Sequence, residues 1–298
     1  MPVDLQQAIA TGFFLGLVYG LIAVGFSITF GVMRIANFAH GQFVMMGMYL
    51  MIFLRQDVAV PVWVAIPVTG LIVAVAGMLI ERVAIEPIIR YSRFMQMLVT
   101  LGVLMILEQL AAILFGDQAL GLDVRVRAFD LWIGSAFVSG ARVVAGIAAL
   151  AVISLVFVAL KKTYFGRAVR AVADSRVSAE LLGVRTRRVN VVAFGLGAGC
   201  AGLAGSLIIP FSFVNPLVGL GMTMKSFIVV MVGGSASIRR VVVVAIALGM
   251  VESVSGIYVP LSIVPGVVYA VLIATLVVLM LRQHRQGSLL MLGEKEGT

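Results

Sequence analysis

Charged side chains are scarce in this sequence: they make up 12% of its 298 residues, about half of the share that soluble domains carry. Hydrophobic residues make up 62%, and the mean hydropathy is +1.15. This balance excludes a soluble globular protein and predicts a polytopic bundle of transmembrane helices. No stretch between the apolar runs is long enough for a soluble domain, so residues 1–298 are expected to form one all-α membrane domain.

The side chains of common catalytic and metal sites are also nearly absent. The single cysteine, Cys200, cannot form an internal disulfide, and the two histidines leave no Cys/His cluster with metal spacing. The patterns HExxH, GxSxG and GxxxxGK[ST] do not occur, so we expect no metal, cofactor or nucleotide to bind this chain. An intramembrane enzyme is disfavoured, and the energy for any transport must come from another subunit or from a gradient.

Nine apolar runs divide the chain, which corresponds to about eight to ten membrane spans of ~20 residues each. If the spans alternate, most of the 22 Lys and Arg lie on the same side as residues 161–189. Basic residues favour the cytoplasmic side, so an external N-terminus and a cytoplasmic C-terminus are predicted. The same distribution accounts for the net charge of +9 without nucleic acid. The runs are 8–33, 42–54, 61–81, 94–115, 141–160, 190–211, 222–234, 241–259 and 262–281.

Two of these runs, 42–54 and 222–234, are too short to span a membrane alone. Each follows an interruption rich in Gly, Asn or Pro, and paired broken helices in the two halves of a transporter point to its transport pathway. Ordinary loops at the membrane surface are the alternative. The pathway candidates at and near the breaks are Asn37, His40, Gly41, Gln42, Asn215, Pro216, Lys225 and Glu252.

Ionisable residues inside the predicted spans must face protein or water, because facing lipid costs a few kcal/mol. Glu108, Lys225 and Glu252 are such residues. Glu252 is interpreted as a hydrogen-bonding partner between helices, with a proton relay as the alternative. His40 is interpreted as satisfying backbone groups at the first break, and contact with substrate is the alternative.

Residues 161–190 form a basic stretch that holds 8 of the 22 Lys and Arg. Its helical wheel has an apolar and a basic side, which predicts one or two short amphipathic helices between spans. Asp174 or Ser175 can cap the second helix, and Gly183 can end it in a left-handed conformation. Such a segment lies on anionic lipid or fits a groove of a soluble partner. The apolar side carries Val169, Val172, Ala173, Leu181 and Leu182, and the basic side Arg167, Arg170 and Arg176.

The largest external loop is predicted over residues 116–140. Within it, residues 124–132 (VRVRAFDLW) alternate between apolar and charged types, which is typical of a short strand or an element at the membrane surface. The charged residues either contact a docking protein or are simply solvated. They are Asp123, Arg125, Arg127 and Asp130.

Several groups of residues closely resemble the permease subunits of branched-chain amino-acid ABC importers. The most specific is NFAHG at Asn37–Gly41, within Gly16–Leu50. The basic stretch resembles the cytoplasmic stretch of the same family at Thr163, Gly166, Arg167, Ala168, Arg170, Ala171, Leu182 and Gly183. Further matches are Lys225-Ser-Phe227, Gly233-Gly234, Leu248-Gly249 and Glu252. The resemblance extends over nearly the whole chain.

The resemblance implies a type II ABC importer permease, the membrane-spanning subunit of an ATP-driven importer for branched-chain or related amino acids. It implies that residues 161–190 are a coupling segment that docks into an ATPase. The expected partners are a paralogous permease, two ATPase subunits that hold ATP and Mg, an external substrate-binding protein and membrane lipid, in a bacterial or archaeal inner membrane. Urea, short amides or aromatic acids are alternative substrates of the same fold, and a gradient-driven carrier is an alternative class.

The chain departs from this family pattern at three places. Gln42 stands where many members carry Glu, and residues 235–240 (SASIRR) replace a Gly-Ser-Ile-Pro-Gly turn. Residues 282–285 (RQHR) replace the C-terminal Arg-Pro-x-Gly signature. These departures leave the substrate and the surface that pairs with the sister permease open, and they assign no role to Glu108, Arg239 or Arg240.

Overall fold

The computed structural model is almost entirely helical, and it describes residues 3–122, 131–133, 136–260, 263–271, 273–275 and 277. Helices dominate because buried backbone groups in a membrane must form their hydrogen bonds within the segment. The ten α-helices labelled in this part of the chain are α1 (Val3–Met33), α2 (His40–Gln56), α3 (Val62–Ile80), α4 (Arg93–Phe115), α5 (Gly140–Lys162), α6 (Tyr164–Asp174), α7 (Arg176–Leu181), α8 (Thr186–Ile208), α9 (Val218–Gly233) and α10 (Ile238–Tyr258).

Short elements connect the helices. A π-helical turn (Glu81–Ile85) and a 3₁₀ turn (Glu86–Ile88) extend α3, and a second 3₁₀ turn (Ile209–Phe211) follows α8. Strand β1 (Leu120–Gly121) pairs antiparallel with β4 (Phe213–Val214), and β2 (Leu131–Ile133) pairs with β3 (Ala136–Val138). The predicted external loop thus contains strands, whereas its charged residues 123, 125, 127 and 130 lie outside the described residues.

Six of the helical segments are long and apolar enough to cross a membrane, and the prediction of a polytopic helical bundle is confirmed. They differ in burial: 78% of the most apolar part of α1 and 83% of that of α8 are buried, against 17–28% for the other four. α1 and α8 therefore form the centre of the bundle, and α3, α4, α5 and α10 surround it. Of the nine predicted runs, the last lies partly outside the described residues, and each of the others falls on a helix.

The long helices alternate between two ends of the bundle. We call them the first end, where α1 begins, and the second end, where α1 ends. α10 runs antiparallel to α1, because Gly12 faces Gly249 and Gly16 faces Ile246. A Cβ on Gly16 would lie 2.5 Å from the Cα of Ile246, so the two backbones touch along this seam.

The second helix begins inside the bundle, as the first predicted break requires. Its first residue, His40, donates a hydrogen bond from Nε2 to the carbonyl oxygen of Ile22 in α1, at 3.0 Å. Ile22 lies roughly eleven residues, or ~16 Å, before the end of α1. From this depth α2 runs to the first end, where Tyr49 stacks on Phe115 with ring centroids 4.3 Å apart.

The ninth helix also begins inside the bundle and runs the opposite way. Its first turns pack on the start of α2, and its last residue, Gly233, lies against Val241 in the first turn of α10, at the second end. Each half-helix, together with the extended segment before it, therefore completes one traverse. The alternative of ordinary surface loops at the two breaks does not hold.

Candidate functional site

The two half-helices meet at their N-terminal ends, in a contact that we call the half-helix junction (residues 37–42 and 215–223). The Thr223 hydroxyl accepts a hydrogen bond from the backbone N–H of Gly41 at 2.8 Å. It lies 2.9 Å from the carbonyl oxygen of Phe38, to which it donates. A Cβ on Gly41 would overlap the carbonyl oxygen of Gly219, so only glycine fits there. One threonine thus joins two breaks that lie about 180 residues apart.

Asn37 and His40 hold the first half of the junction in place. The side-chain oxygen of Asn37 accepts from the N–H of Ala39 at 3.1 Å and so closes the turn that leads into α2. His40 is completely buried, and its ring meets those of Phe26 and Phe43 edge to face. The bond of His40 to Ile22 agrees with the interpretation of a backbone-satisfying residue, although the carbonyl belongs to α1 and not to the break.

Gln42 is the least satisfied residue of the junction. It is completely buried, and neither its Oε1 nor its Nε2 has a hydrogen-bond partner in the part of the chain that the structure describes. Its amide lies directly against Gly219, where a Cβ would overlap it. Burying an amide without partners costs about 1–3 kcal/mol, so a state in which Gln42 gains partners would be favoured.

The second break contributes backbone rather than side chains. The carbonyl oxygen of Asn215 accepts from the N–H of Val218 at 3.2 Å and starts the turn into α9. Pro216 is buried beside it and cannot donate a hydrogen bond. The structure therefore brings Asn37, His40, Gly41 and Gln42 together with the start of α9.

Lys225 and Glu252 form an ion pair next to the junction. The Nζ of Lys225 lies 2.7 and 2.8 Å from the two carboxylate oxygens of Glu252. It also donates to the hydroxyl of Tyr19 at 2.9 Å, which in turn lies 3.2 Å from Glu252. Lys225 lies in the middle of α9, because that helix begins four residues before the predicted run. Together with Tyr19, the pair links α1, α9 and α10.

Glu108 does not join this group. It lies half-buried on α4, a peripheral helix, and has no hydrogen-bond or ion-pair partner among residues 3–122 or the other described ranges. The three ionisable residues predicted inside spans thus separate into one pair and one isolated acid.

The coupling segment (residues 161–190) folds into two short helices at the second end, as its sequence predicts. Thr163 caps α6 by accepting from the N–H of Gly166, and Ser175 caps α7 by accepting from that of Ser178. Gly183 follows α7 with φ of +81°, the left-handed conformation that glycine adopts most readily. Gly166 packs on the backbone of Leu160, where a Cβ would overlap the carbonyl oxygen.

The apolar side of this segment is only partly buried. Ala168, Val169 and Val172 of α6 lie in the core, and Arg167 and Arg170 are exposed, as the wheel predicts. Leu181 and Leu182, which the wheel places on the apolar side, are not covered by this chain: they are 84% and 81% exposed. α7 buries Ala179 and leaves its other apolar side chains uncovered, so Leu181 and Leu182 form an exposed apolar patch together with Val177.

An acidic cluster near the second end escaped the sequence analysis. Glu81 is completely buried, and neither of its carboxylate oxygens has a partner among the described residues. Glu86 pairs with Arg187 at the start of α8. Residues five apart lie about 140° apart on an α-helical wheel, whereas the π-helical turn at Glu81–Ile85 aligns them. A wheel drawn with α-helical geometry therefore conceals this cluster.

Tyr19 and Thr223 were also missed. A single hydroxyl in an apolar helix is an ordinary residue, and nothing nearby in sequence indicates that Tyr19 meets Lys225 more than 200 residues away. The only local signal for Thr223 is its spacing of one helical turn from Gly219, to whose carbonyl oxygen its hydroxyl also lies close, at 3.2 Å.

The sequence of the chain is similar to those of known transport proteins. The family model "Branched-chain amino acid transport system / permease component" matches residues 8–280. The high-affinity branched-chain amino acid transport system permease protein LivH of Salmonella typhimurium is 28% identical over 92% of this chain and 93% of its own length, as is LivH of Escherichia coli K12. The corresponding protein BraD of Pseudomonas aeruginosa is 26% identical over 83% of this chain and 85% of its own. No solved structure matches the chain.

Proposed function

The chain belongs to the family of permease components of branched-chain amino acid transport systems, and we propose that it is the membrane-spanning subunit of an ATP-driven importer. Its substrates are branched-chain or related amino acids, delivered by an external binding protein. A paralogous permease completes the pathway, and two ATPase subunits hold ATP and Mg²⁺. The second end of the bundle faces the cytoplasm of a bacterial or archaeal cell, and so does the C-terminus.

The observation that carries this proposal is the coupling segment. It exposes three apolar side chains (Val177, Leu181 and Leu182) on the same segment as the exposed Arg167, at the second end of the bundle. Exposed apolar residues rimmed by charge mark protein interfaces. A soluble ATPase fits such a surface, because α7 buries Ala179 and leaves Val177, Leu181 and Leu182 uncovered.

The coupling segment is also joined to the centre of the bundle. The Arg34 guanidinium at the end of α1 donates from Nη2 to the carbonyl oxygen of Ala173 in α6 at 3.1 Å. Arg170 of α6 donates to that of Leu160 in α5. Because α1 bonds the half-helix junction through Ile22, a displacement of α6 by an ATPase would reach the junction through a single helix.

The half-helix junction is the element that opens and closes in this proposal. Two helix N-termini meet there, and their partial positive charges favour the carboxylate of an amino acid. The unsatisfied amide of Gln42 and the nearby Lys225–Glu252 pair supply further polar groups when the half-helices separate. These residues are the pathway candidates, and Gly41 and Gln42 pack against Gly219 at the start of α9.

The composition of the native complex is the first test. Purification of the tagged chain from native membranes in a mild detergent should recover a second permease chain and two ATPase chains, identified by mass spectrometry. Recovery of a homo-oligomer without any ATPase would overturn the proposal and favour a gradient-driven carrier.

Charge reversal tests the coupling role. The double variant Arg167→Glu and Arg170→Glu should lose uptake of radiolabelled leucine and ATPase stimulation in proteoliposomes, while the bundle keeps its thermal stability. Arg82→Glu, an exposed arginine at the same end outside the coupling segment, should retain both activities. Unchanged uptake in the double variant would contradict the coupling role, and competition by urea, short amides or aromatic acids would identify the substrate class.

A further inference from the structure

A cavity of about 890 Å³ opens at the second end, between the end of α1, the end of α5, α6 and the turn before α10. Cavities of ~300–1,000 Å³ hold organic ligands of drug size, so this one is much larger than a bare ion needs. Apolar side chains form its inner wall, among them Phe30, Val32, Phe157 and Val169.

Five basic side chains and a single acidic one line the same cavity. The acidic one is Asp174, and the basic ones are Arg34, Arg93, Lys161, Arg170 and Arg239. None of the five forms an ion pair with a carboxylate in the described part of the chain. Three of them are held in place by neutral groups. Arg34 donates to the carbonyl oxygen of Ala173, Arg170 donates to that of Leu160, and Arg239 stacks over the Phe157 ring at 5.5 Å. The cavity thus carries an excess of positive charge that the single carboxylate of Asp174 does not balance.

Two long helices direct their N-termini to this cavity. α4 begins with Arg93, and α10 begins with Ile238 followed by Arg239, so both carry arginine in their first turn. A helix N-terminus bears a partial positive charge, which arginine worsens and an anion relieves. The start of α10 also has no side-chain cap, since Ser237 accepts no hydrogen bond from its N–H groups.

We propose that this cavity binds the phosphate headgroup of an anionic phospholipid. The arginines and the two helix N-termini bind phosphate oxygens, and the apolar inner wall receives the start of the acyl chains. Basic pockets between helices at the cytoplasmic side suit anionic headgroups in general. A lipid there would contact α6 and α1 together, next to the bond from Arg34 to Ala173 that links the coupling segment to the bundle.

The test measures lipid binding to the purified full chain in a neutral detergent by native mass spectrometry. One molecule of dioctanoyl phosphatidylglycerol should bind at least tenfold more tightly than dioctanoyl phosphatidylcholine. The double variant Arg93→Gln and Arg239→Gln should weaken that affinity about thirtyfold, which corresponds to about 2 kcal/mol for two basic groups. The control variant Arg82→Gln and Arg188→Gln removes the same charge from exposed positions at the same end and should stay within twofold.

Two outcomes would overturn the proposal: equal binding of the two lipids, or an equal loss in the control variant. Competition by glycerol 3-phosphate at the same concentration would show that the cavity binds a soluble phosphate compound and not a phospholipid. If the double variant fails to elute as a monodisperse species, Lys161→Gln with Arg93→Gln replaces it, because both side chains are exposed.

Discussion

The half-helix junction and the coupling segment are both breaks in an apolar chain, yet they differ in what surrounds them. At the junction Gly41, Gln42 and Thr223 are almost fully buried, and backbone touches backbone. In the coupling segment α6 packs on the bundle, whereas Leu181 and Leu182 are left exposed. The residues of the junction are covered by other parts of this chain, whereas the apolar patch of the coupling segment is not covered by this chain.

This difference in burial predicts which substitutions each region tolerates. The junction requires glycine at position 41, because the Cβ of any other residue there would overlap the carbonyl oxygen of Gly219. The coupling segment depends on local caps at Thr163, Ser175 and Gly183, and its outer surface is free to change without unfolding the bundle. Substitutions should therefore damage folding at the junction and damage coupling at the segment.

The largest effect is expected for Gly41→Ala. The added methyl group would overlap the carbonyl oxygen of Gly219 and lie 2.6 Å from the backbone N of Thr223, so the half-helices must separate. Overpacking of this kind costs about 1–3 kcal/mol or more. The unfolding temperature in detergent should fall and leucine uptake should be lost.

Gly102→Ala is the matched control, because Gly102 lies in the membrane-spanning helix α4 with nothing within 4 Å of its Cβ position. It should keep stability and uptake. Equal unfolding temperatures for the two variants would show that the junction is loosely packed, contrary to its geometry.

The second effect concerns the Lys225–Glu252 pair. Glu252→Gln leaves a partly buried ammonium without its counter-charge, which costs up to about 3–5 kcal/mol. Removal of both charges in Lys225→Met with Glu252→Leu should recover most of that loss. Denaturant unfolding of the two variants measures the difference.

Glu108→Gln is the control for the ion pair, since Glu108 has no partner among the described residues and should change stability little. Loss of uptake by Glu108→Gln with unchanged stability would favour the gradient-driven carrier.

The sequence predicted the features that depend on nearby residues. The caps at Ser175 and Gly183, the amphipathic α6 and the two breaks follow from spacings of a few residues. It could not predict that Tyr19 joins Lys225, because the residues meet only after α1, α9 and α10 pack. It also could not predict whether this chain covers Leu181, because a helical wheel identifies an apolar side without showing what packs against it.

A smaller effect is expected for Gly183→Ala in the coupling segment. Gly183 has φ of +81° with nothing within 4 Å of its Cβ position, so the cost is conformational and amounts to about 1–2 kcal/mol. Because the residue lies outside the bundle, hydrogen exchange should quicken in residues 176–184 while the unfolding temperature stays the same. Gly256→Ala, which also has open space around it and lies in α10, should change neither. A fall in the unfolding temperature of Gly183→Ala would mean that α7 supports the bundle.

The smallest effect concerns Glu180 of α7. A hydrogen bond from the Thr186 hydroxyl at 2.6 Å, and a second from Arg176 at 3.1 Å, hold the pKa of this carboxyl below its usual range. A lowered pKa means that these bonds stabilise the α7–α8 turn at pH values above the ordinary glutamate pKa of about 4.3. The stabilisation is lost as the pH falls through the lowered pKa.

Thr186→Val removes the hydrogen bond that lowers this pKa most, so the pKa in a ¹³C-glutamate NMR titration should move back towards the ordinary value. Arg90→Gln, which removes a nearby charge but neither hydrogen bond, should move it less. Because Glu180 is exposed, a shift of equal size in both variants would mean that general surface charge, and not the Thr186 bond, sets its pKa.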